Sequence, residues 1–553
     1  MQLFPTSPKG LLPFGILFVT CTFLVQFLFC YPIFSQSISP IHTDYLIALQ
    51  KNKKASVVIH LADNPQKKID SRHKFLKVNY KNALSFDFPP IKIAKQPQKK
   101  IYGNYVRAGL GNFKSSYLEA FFNTRRSEKH SYGLYFRHTN ARTGAVDAQN
   151  SADAQNKLAL SFQSSTKKGS FEGSLGLQQQ QWHFYGYQRT AQIPNAKDIQ
   201  QNFNSIDGQV SYANKYFASR YSYDIGLSYY YWADRYAARE QEIGSSLANK
   251  IHFDATNNLY FKAEISSSLR SDEAGYIQRN LLTGEAYHQI SHSKFHLQIG
   301  ARAAFHNDTL KSMKKAFLYP KLYFSLNVFK NRFDVFLQLE GGMQKRLLRN
   351  MAAENPYLAP NTALLHTNKT WESSIGFRTK FSSRFDWQAS ASYGFYQYLH
   401  FFTNSSITPS KFLIQYETEN IPVTTLTSEL NMNFGKLKAK LHTELQRYEL
   451  QSLEGAWHRP LVKNTLSVGY SAKKFLLNID IYNLAGIRVF DVITSQQKDL
   501  QAITDLNVKL DYQFSPTWSV FVRGSNLLSQ QYQRFLYYDA RTLQVIAGAS
   551  LTF

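Results

Sequence analysis

Cysteine is almost missing. Cys21 and Cys30 are the only two in 553 residues, and both sit in one N-terminal apolar stretch. Without that stretch the chain can form no disulfide, no thiolate metal site and no cysteine nucleophile. Long apolar runs are equally scarce. A membrane helix needs about 20 consecutive apolar residues, and only the span from Leu11 to Phe34 offers them, so a bundle of membrane helices is excluded. Acidic residues are few: 38 Asp and Glu stand against 64 Lys and Arg, a net charge of +26. The basic residues are spread along the whole chain rather than gathered in one segment, so no nucleic-acid partner is expected. H-E-x-x-H, G-x-x-x-x-G-K-[ST] and G-x-S-x-G are all lacking, the 15 His are scattered, and no metal or other cofactor is expected.

Aromatics are abundant. There are 35 Tyr, 42 Phe and 6 Trp, 15% of the chain, yet the mean hydropathy is −0.37. Strands that alternate between lipid and water produce that combination, because half their residues are apolar and half polar.

Three regions follow one another. Residues 1–35 carry Lys9, then the apolar span, then small Ser35 before Gln36, and read as a secretory signal peptide; a retained anchor helix is the alternative. A faint lipobox at Phe27-Leu28-Phe29-Cys30 is undercut by Phe29, too large for the residue before a lipidated cysteine. Residues 36–98 read as a basic periplasmic extension. From Gln36 to Lys100 there are 13 Lys or Arg, 4 Asp or Glu, and five prolines. The segment is expected to be partly disordered or to fold back and occlude a lumen. Residues 99–553 alternate in a two-residue period to the end. Leu506, Val508, Leu510, Tyr512 and Phe514 oppose Asn507, Lys509, Asp511 and Gln513. Trp371, Ile375 and Phe377 oppose Glu372, Ser374, Arg378 and Lys380. The polar members Glu372, Arg378, Lys380, Asn507, Lys509 and Asp511 are candidate lumen-facing residues.

Connections alternate between short and long. Tight ones fall at Lys168-Gly169, Ala255 to Asn257, His292-Ser293, Lys330-Asn331, Ser382-Ser383, Gly435-Lys436, Ala472-Lys473 and Ser515-Pro516. Long polar ones span 141–154, 186–201, 270–279, 307–315, 347–369, 403–411, 490–500 and 529–540, with weaker breaks at 113–115, 126–129, 213–214, 233–241 and 449–462. Short turns at one end and long loops at the other mark an outer-membrane barrel. The expected fold is all-β: a transmembrane antiparallel up-and-down barrel of about 22 strands (range 18–26). That assigns about 21 residues to each strand and connection, where a tilted strand crosses a bilayer in about 9–11. The final stretch from Leu543 to Phe553 is one such strand. Its Val545, Ala547, Ala549, Leu551 and Phe553 share a face, and pairing with the strand from Ile101 to Gly111 would remove an aggregation-prone edge. Its Gly548, Leu551 and Phe553 resemble the terminal signal read by the barrel-assembly machinery of outer membranes.

Longer motifs carry a family resemblance. Asn355-Pro356-Tyr357-Leu358-Ala359-Pro360, leading into Thr370-Trp371-Glu372 and Ile375-Gly376-Phe377, resembles a stretch in the barrels of TonB-dependent receptors. Thr504-Asp505-Leu506-Asn507, then Trp518 to Leu528 and Tyr532, resembles that family's final strands, and Tyr102 to Asn112 resembles the opening of barrel-only relatives in the Bacteroidota. The resemblance covers about 101–553. It implies a Gram-negative outer-membrane location in contact with lipid, and uptake of a solute either passively or with TonB-type energy coupling. It also implies a plug domain, and the 65 residues 36–100 leave no room for a complete one; occluding loops, the 36–98 segment or a plugging partner would have to close the pore. A surface-binding barrel acting as adhesin or anchor is the alternative, and a soluble all-β protein a further one. Catalysis at the rim would need a nucleophile beside a base. His138, His366 and His400 fall near expected outer loops, where histidines are ordinarily just solvated, so no enzyme is expected.

Overall fold

The computed structural model describes residues 103–553 apart from 125–128, 190–191, 215–219, 274, 309–313 and 330–331. The expected signal peptide, the extension 36–98 and the turn at Lys330-Asn331 lie outside the described residues.

Period-two alternation becomes a closed sheet. Twenty-two antiparallel strands each pair with the next barrel strand in the chain, and the last, Gln544–Thr552, pairs back onto the first, Asn104–Gly111. The outward face is apolar: Leu110 is 74% exposed, Ile265 53%, Ile299 55% and Ile375 59%. Half-bare aliphatic side chains repeated around a wall are unfavourable in water and suited to lipid. The opposite pleat carries the polar side chains. A ring of 22 strands encloses more space than its own side chains fill.

Most described short turns lie at the end that holds Asn104 and Phe553, the turn end; 112–114 and 234–238 are short connections at the opposite end. Strands hand over within two to four residues at 166–168, 253–256, 292–294, 383–384, 435–436, 472–474 and 514–517. The opposite, loop end carries 142–152, 184–199, 345–366, 398–420, 449–461, 486–502 and 526–543. Three expectations shift. The span 270–279 is mostly strand, since Asn257–Asp272 and Gly275–Ser291 stay in register up to Asp272 opposite Gly275; the ladder continues because its inward Ser268, Arg270 and Arg279 are buried against other groups. The spans 403–411 and 490–500 do not join barrel strands directly. Each belongs to a small hairpin inside a longer connection, Leu399–Asn404 with Phe412–Glu417 and Ile487–Asp491 with Gln496–Leu500. Their own alternating residues, such as Phe401 and Val489, are completely buried.

The closing seam is tight. Asn104 and Phe553 exchange backbone hydrogen bonds of 3.1 and 3.0 Å, and seven rungs run from Tyr105 opposite Thr552 to Gly111 opposite Ile546. Midway, Gly109 faces Gly548. A Cβ on Gly548 would lie 1.9 Å from the Ala108 carbonyl oxygen, and one on Gly109 would lie 2.8 Å from the Phe521 ring. The two glycines therefore let buried Phe521 lie across the seam on its inner side. The Arg107 guanidinium stacks 4.6 Å from that ring and pairs with Asp511.

Candidate functional site at the loop end

Aromatic residues within the long connections build a second core. One cluster of buried side chains takes Val146 from 142–152, Phe184 and Tyr185 from 184–199, Ala238 from 234–238, Met351, Tyr357 and Leu358 from 345–366, Phe402 and Phe412 from the 399–417 hairpin, and Phe535 and Tyr538 from 526–543. These connections leave the wall far apart. The 184–199 segment joins the fifth and sixth barrel strands, whereas 345–366 joins the thirteenth and fourteenth. They meet across the mouth.

The Asn355-Pro356-Tyr357 motif delivers the central ring. Buried Asn355 accepts the Tyr357 N–H at 3.0 Å through its side-chain oxygen, a local turn that asparagine favours. Tyr357 then stacks on Tyr538 at 3.6 Å between centroids, with Tyr185 edge-on to both at 5.9 and 4.8 Å. Aromatic pairs contribute about 0.5–1.5 kcal/mol each beyond their buried area. The backbone reinforces the contact: Phe412 donates to the Tyr357 carbonyl at 2.9 Å and Ala359 to the Phe412 carbonyl at 2.7 Å. Lys411 reaches across to the rings of Phe184 and Tyr236, 5.0 and 4.6 Å away.

Polar groups lock the same segments. Arg279 donates to Asp308 from Nε at 2.7 Å and Nη2 at 3.1 Å, to His366 Nδ1 at 2.8 Å and to the Arg346 carbonyl at 2.8 Å. Burial would push the Asp308 carboxyl up, but the Arg279 guanidinium outweighs it and holds the carboxyl below its ordinary range. Burial, with Arg279 beside it, lowers His366 to about 3. Glu354 binds His400 at 2.8 Å and Arg459 at 3.2 Å. Burial opposes its ionisation, yet these partners hold it below the usual carboxylate range. His458 ties four segments together. Its Nδ1 lies 2.8 Å from the Phe402 carbonyl, its Nε2 accepts from Leu536 N–H at 3.3 Å, its backbone N–H donates to the Arg488 carbonyl at 2.8 Å, and its own carbonyl accepts from Arg534 at 2.7 Å. Complete burial drops the imidazole to about 3, so it is neutral, with the proton on Nδ1 and a lone pair on Nε2.

The residues singled out from sequence fall into separate places. Glu372, near the loop end, accepts from Tyr396 at 2.7 Å and Lys369 at 3.2 Å. Arg378 donates to Gln388 at 2.9 Å and Tyr323 at 3.2 Å, and Lys380 is exposed near the turn end. Asp511 pairs with Arg107 and lies 3.5 Å from Lys509; Asn507 is on the same pleat, opposite Asp480 of the neighbouring strand. Gly548 and Leu551 are in the seam opposite Gly109 and Val106, and the Phe553 ring is 6.4 Å from Phe122. Of the flagged histidines, His366 and His400 belong to the loop core. His138 is apart, on the outward pleat just past the apolar band, with Ser116 Oγ at 3.1 Å and Asn156 Oδ1 at 2.6 Å. The Ser116 hydroxyl also donates to Asn140 at 2.9 Å. The final motif closes as well: Asp505 accepts from Tyr532 at 2.9 Å and from Tyr482 at 3.1 Å.

Alternation does not reveal the loop core, because the long connections are polar on average and share no period. The signals were present as Phe184-Tyr185 and the run Phe535-Leu536-Tyr537-Tyr538. Among the described residues no group of His, Cys, Asp and Glu is arranged to hold a metal ion.

No family model matches the sequence, and a comparison with curated proteins gives no match. Solved structures do share the architecture. The siderophore receptor PirA from Acinetobacter baumannii aligns over 81% of this chain and 80% of its own, at 10% identity and a TM-score of 0.61. The FrpB iron transporter from Neisseria meningitidis (F3-3 variant) aligns over 82% of each, at 9% identity and 0.63. The ferric-catecholate import receptor Fiu from E. coli K12 aligns over 83% of each, at 9% identity and 0.61. At such identities the likeness speaks for the fold, which is that of the receptor barrels the sequence motifs resemble.

Proposed function

We propose that this chain is an outer-membrane barrel for solute uptake, with its turn end in the periplasm and its loop end outside, and that its own outer connections keep the mouth shut until solute or coupling energy parts them. The observation that carries this reading is the loop core, above all Tyr357 on Tyr538, in which connections from distant wall strands are packed as tightly as a protein interior. A barrel that only displayed loops would have no use for a wide lumen roofed by such contacts. The receptors of the same fold supply the class of activity, uptake of iron or siderophore in their own case; the solute of this chain is a separate matter.

In this reading Glu372, Arg378, Lys380, Asn507, Lys509 and Asp511 line the path and bias what passes. Whether the 36–98 segment adds to the closure is read from its deletion. No residue acts as catalyst, and no resident cofactor is required.

Planar-bilayer conductance of the full chain, of a form lacking 36–98, and of the Tyr357→Ala/Tyr538→Ala variant tests the proposal. Weak conductance in the full chain and strong conductance in the Tyr variant is expected. If none of the three conducts, the uptake reading is wrong; if the full chain already behaves as an open pore, the loop-closure reading is wrong. Solute accumulation with and without a proton-motive force then separates passive from coupled entry.

A further inference from the structure

At the loop end many cations are paired, Arg279 with Asp308, Arg459 with Glu354, Lys345 and Arg349 with Glu242, Lys498 with Asp491 and Arg541 with Asp153, although Lys114, Arg142 and Lys197 are exposed there. The turn end is different. Its described turn residues hold ten cations, for example Lys167, Lys168, Lys294, Arg384, Lys473 and Lys474, and one carboxylate. All ten are exposed, and none pairs with another described residue. The carboxylate, Asp254, is occupied by its own turn, accepting from Thr256 and Asn257 at 2.7–2.8 Å.

Directly beside these turns lies a ring of outward aromatics. Tyr132 is 54% exposed, Tyr221 54%, Phe253 56%, Phe329 65%, Phe475 47% and Phe514 51%. Aromatic side chains on the lipid face settle at the boundary between hydrocarbon and headgroup. Within one to three residues of such aromatics stand exposed cations, Arg220 beside Tyr221 and Lys474 beside Phe475 among them, which places them at headgroup level. An ammonium or guanidinium there meets phosphate.

We propose that the turn end is a lipid-binding collar that takes the phosphates of anionic phospholipids in the membrane leaflet it faces. The inference rests on the reading of the chain as a membrane barrel. The collar would recruit a negatively charged annulus around the barrel, each cation near an anionic surface favouring it about fivefold. Salt weakens such an attraction. Because the cations are divided among many turns, no single residue decides it.

The test uses the full chain reconstituted into vesicles of phosphatidylcholine with a minor share of fluorescent phosphatidylglycerol, and reads enrichment of that lipid next to the barrel by quenching from Trp518 and the other tryptophans. A variant with Lys167→Gln, Lys168→Gln, Lys436→Gln, Lys473→Gln and Lys474→Gln is compared with a loop-end control, Lys197→Gln. The expected result is an enrichment of about fivefold or more that falls with salt and with the five substitutions but not with the control, while heat-modifiable gel mobility is kept in all three. Insertion without enrichment, or enrichment unchanged in the fivefold variant, overturns the collar. Absence of lipid preference together with salt-sensitive binding of polyglutamate overturns it in favour of an acidic protein. Failure of the unaltered chain to insert at all would instead defeat the membrane-barrel reading beneath it.

Discussion

The two ends of the barrel are built on opposite plans. At the turn end strands reverse within a few residues, the charges are bare and basic, and little is buried beyond the strands themselves. At the loop end the connections carry their own hydrophobic cores, one strand-free helix turn from Leu348 to Glu354, two small hairpins and a set of buried ion pairs. The difference teaches that wall and closure are separable. The ladder of hydrogen bonds makes the cylinder, whereas side-chain packing among the connections builds a separate core at one end of it. Damage at one end should therefore change how much barrel exists, and damage at the other what an existing barrel does.

The largest effect should come from Tyr357→Ala with Tyr538→Ala. Truncating a buried aromatic costs about 3–5 kcal/mol, enough to shift a closed–open equilibrium by more than about a hundredfold. Single-channel recordings should show an open pore, with heat-modifiable yield unchanged. Arg279→Ala comes next. It leaves Asp308 charged and buried, at about 3–5 kcal/mol, and outer-loop proteolysis in whole cells should rise while the strands stay resistant.

Acid should loosen the loop end alone. His458 and His366 are held neutral, each with a pKa of about 3, against about 6.5 in an unfolded chain. The unfolded loops then bind more protons, so this stabilisation is complete above about pH 6.5 and is lost as pH falls toward 3. Hydrogen exchange in 398–420 and 526–543 should quicken over that window and the turn end should not respond. An unchanged exchange pattern down to pH 4 would contradict the neutral, buried His458. Phe553→Asp should lower the amount of barrel assembled several-fold, measured in outer-membrane fractions, without altering the conductance of what does assemble. Smallest of all, Lys473→Ala with Lys474→Ala should move thermal stability by less than about 0.5 kcal/mol, since neither side chain pairs with another described residue.

The wall was legible in the sequence because one rule repeats. Alternation fixes which side each residue takes, and turn residues such as Gly435 (φ 73°) fix where strands end. The closing pair was legible for the same reason: Leu551 and Val106 stand opposite each other as alternation requires. The loop core was not, because its contacts join residues with no common period. Tyr185 and Tyr357 are 172 positions apart, and nothing local tells that both turn inward. The motif around Asn355 marked the right stretch, but the reason for it, a turn that presents Tyr357, needed the partner Tyr538. Strand ends were misplaced where ladders outran the polar composition, as between Asp272 and Gly275.

The seam also sets an order in time. Asn112 and Leu543 touch although 431 residues separate them, and every other strand pair can form before that contact does. A chain folding from its N-terminus can pair its first strand with the second at once, but the other edge of that first strand stays open until the last strand arrives. Closing so long a loop is slow, and an open edge waiting that long invites wrong partners. The Gly109–Gly548 rung makes the last step a snug fit rather than a gradual one, so the wait ends in a single late event. The half-made sheet, with that edge open, is thus the stage most exposed to mispairing.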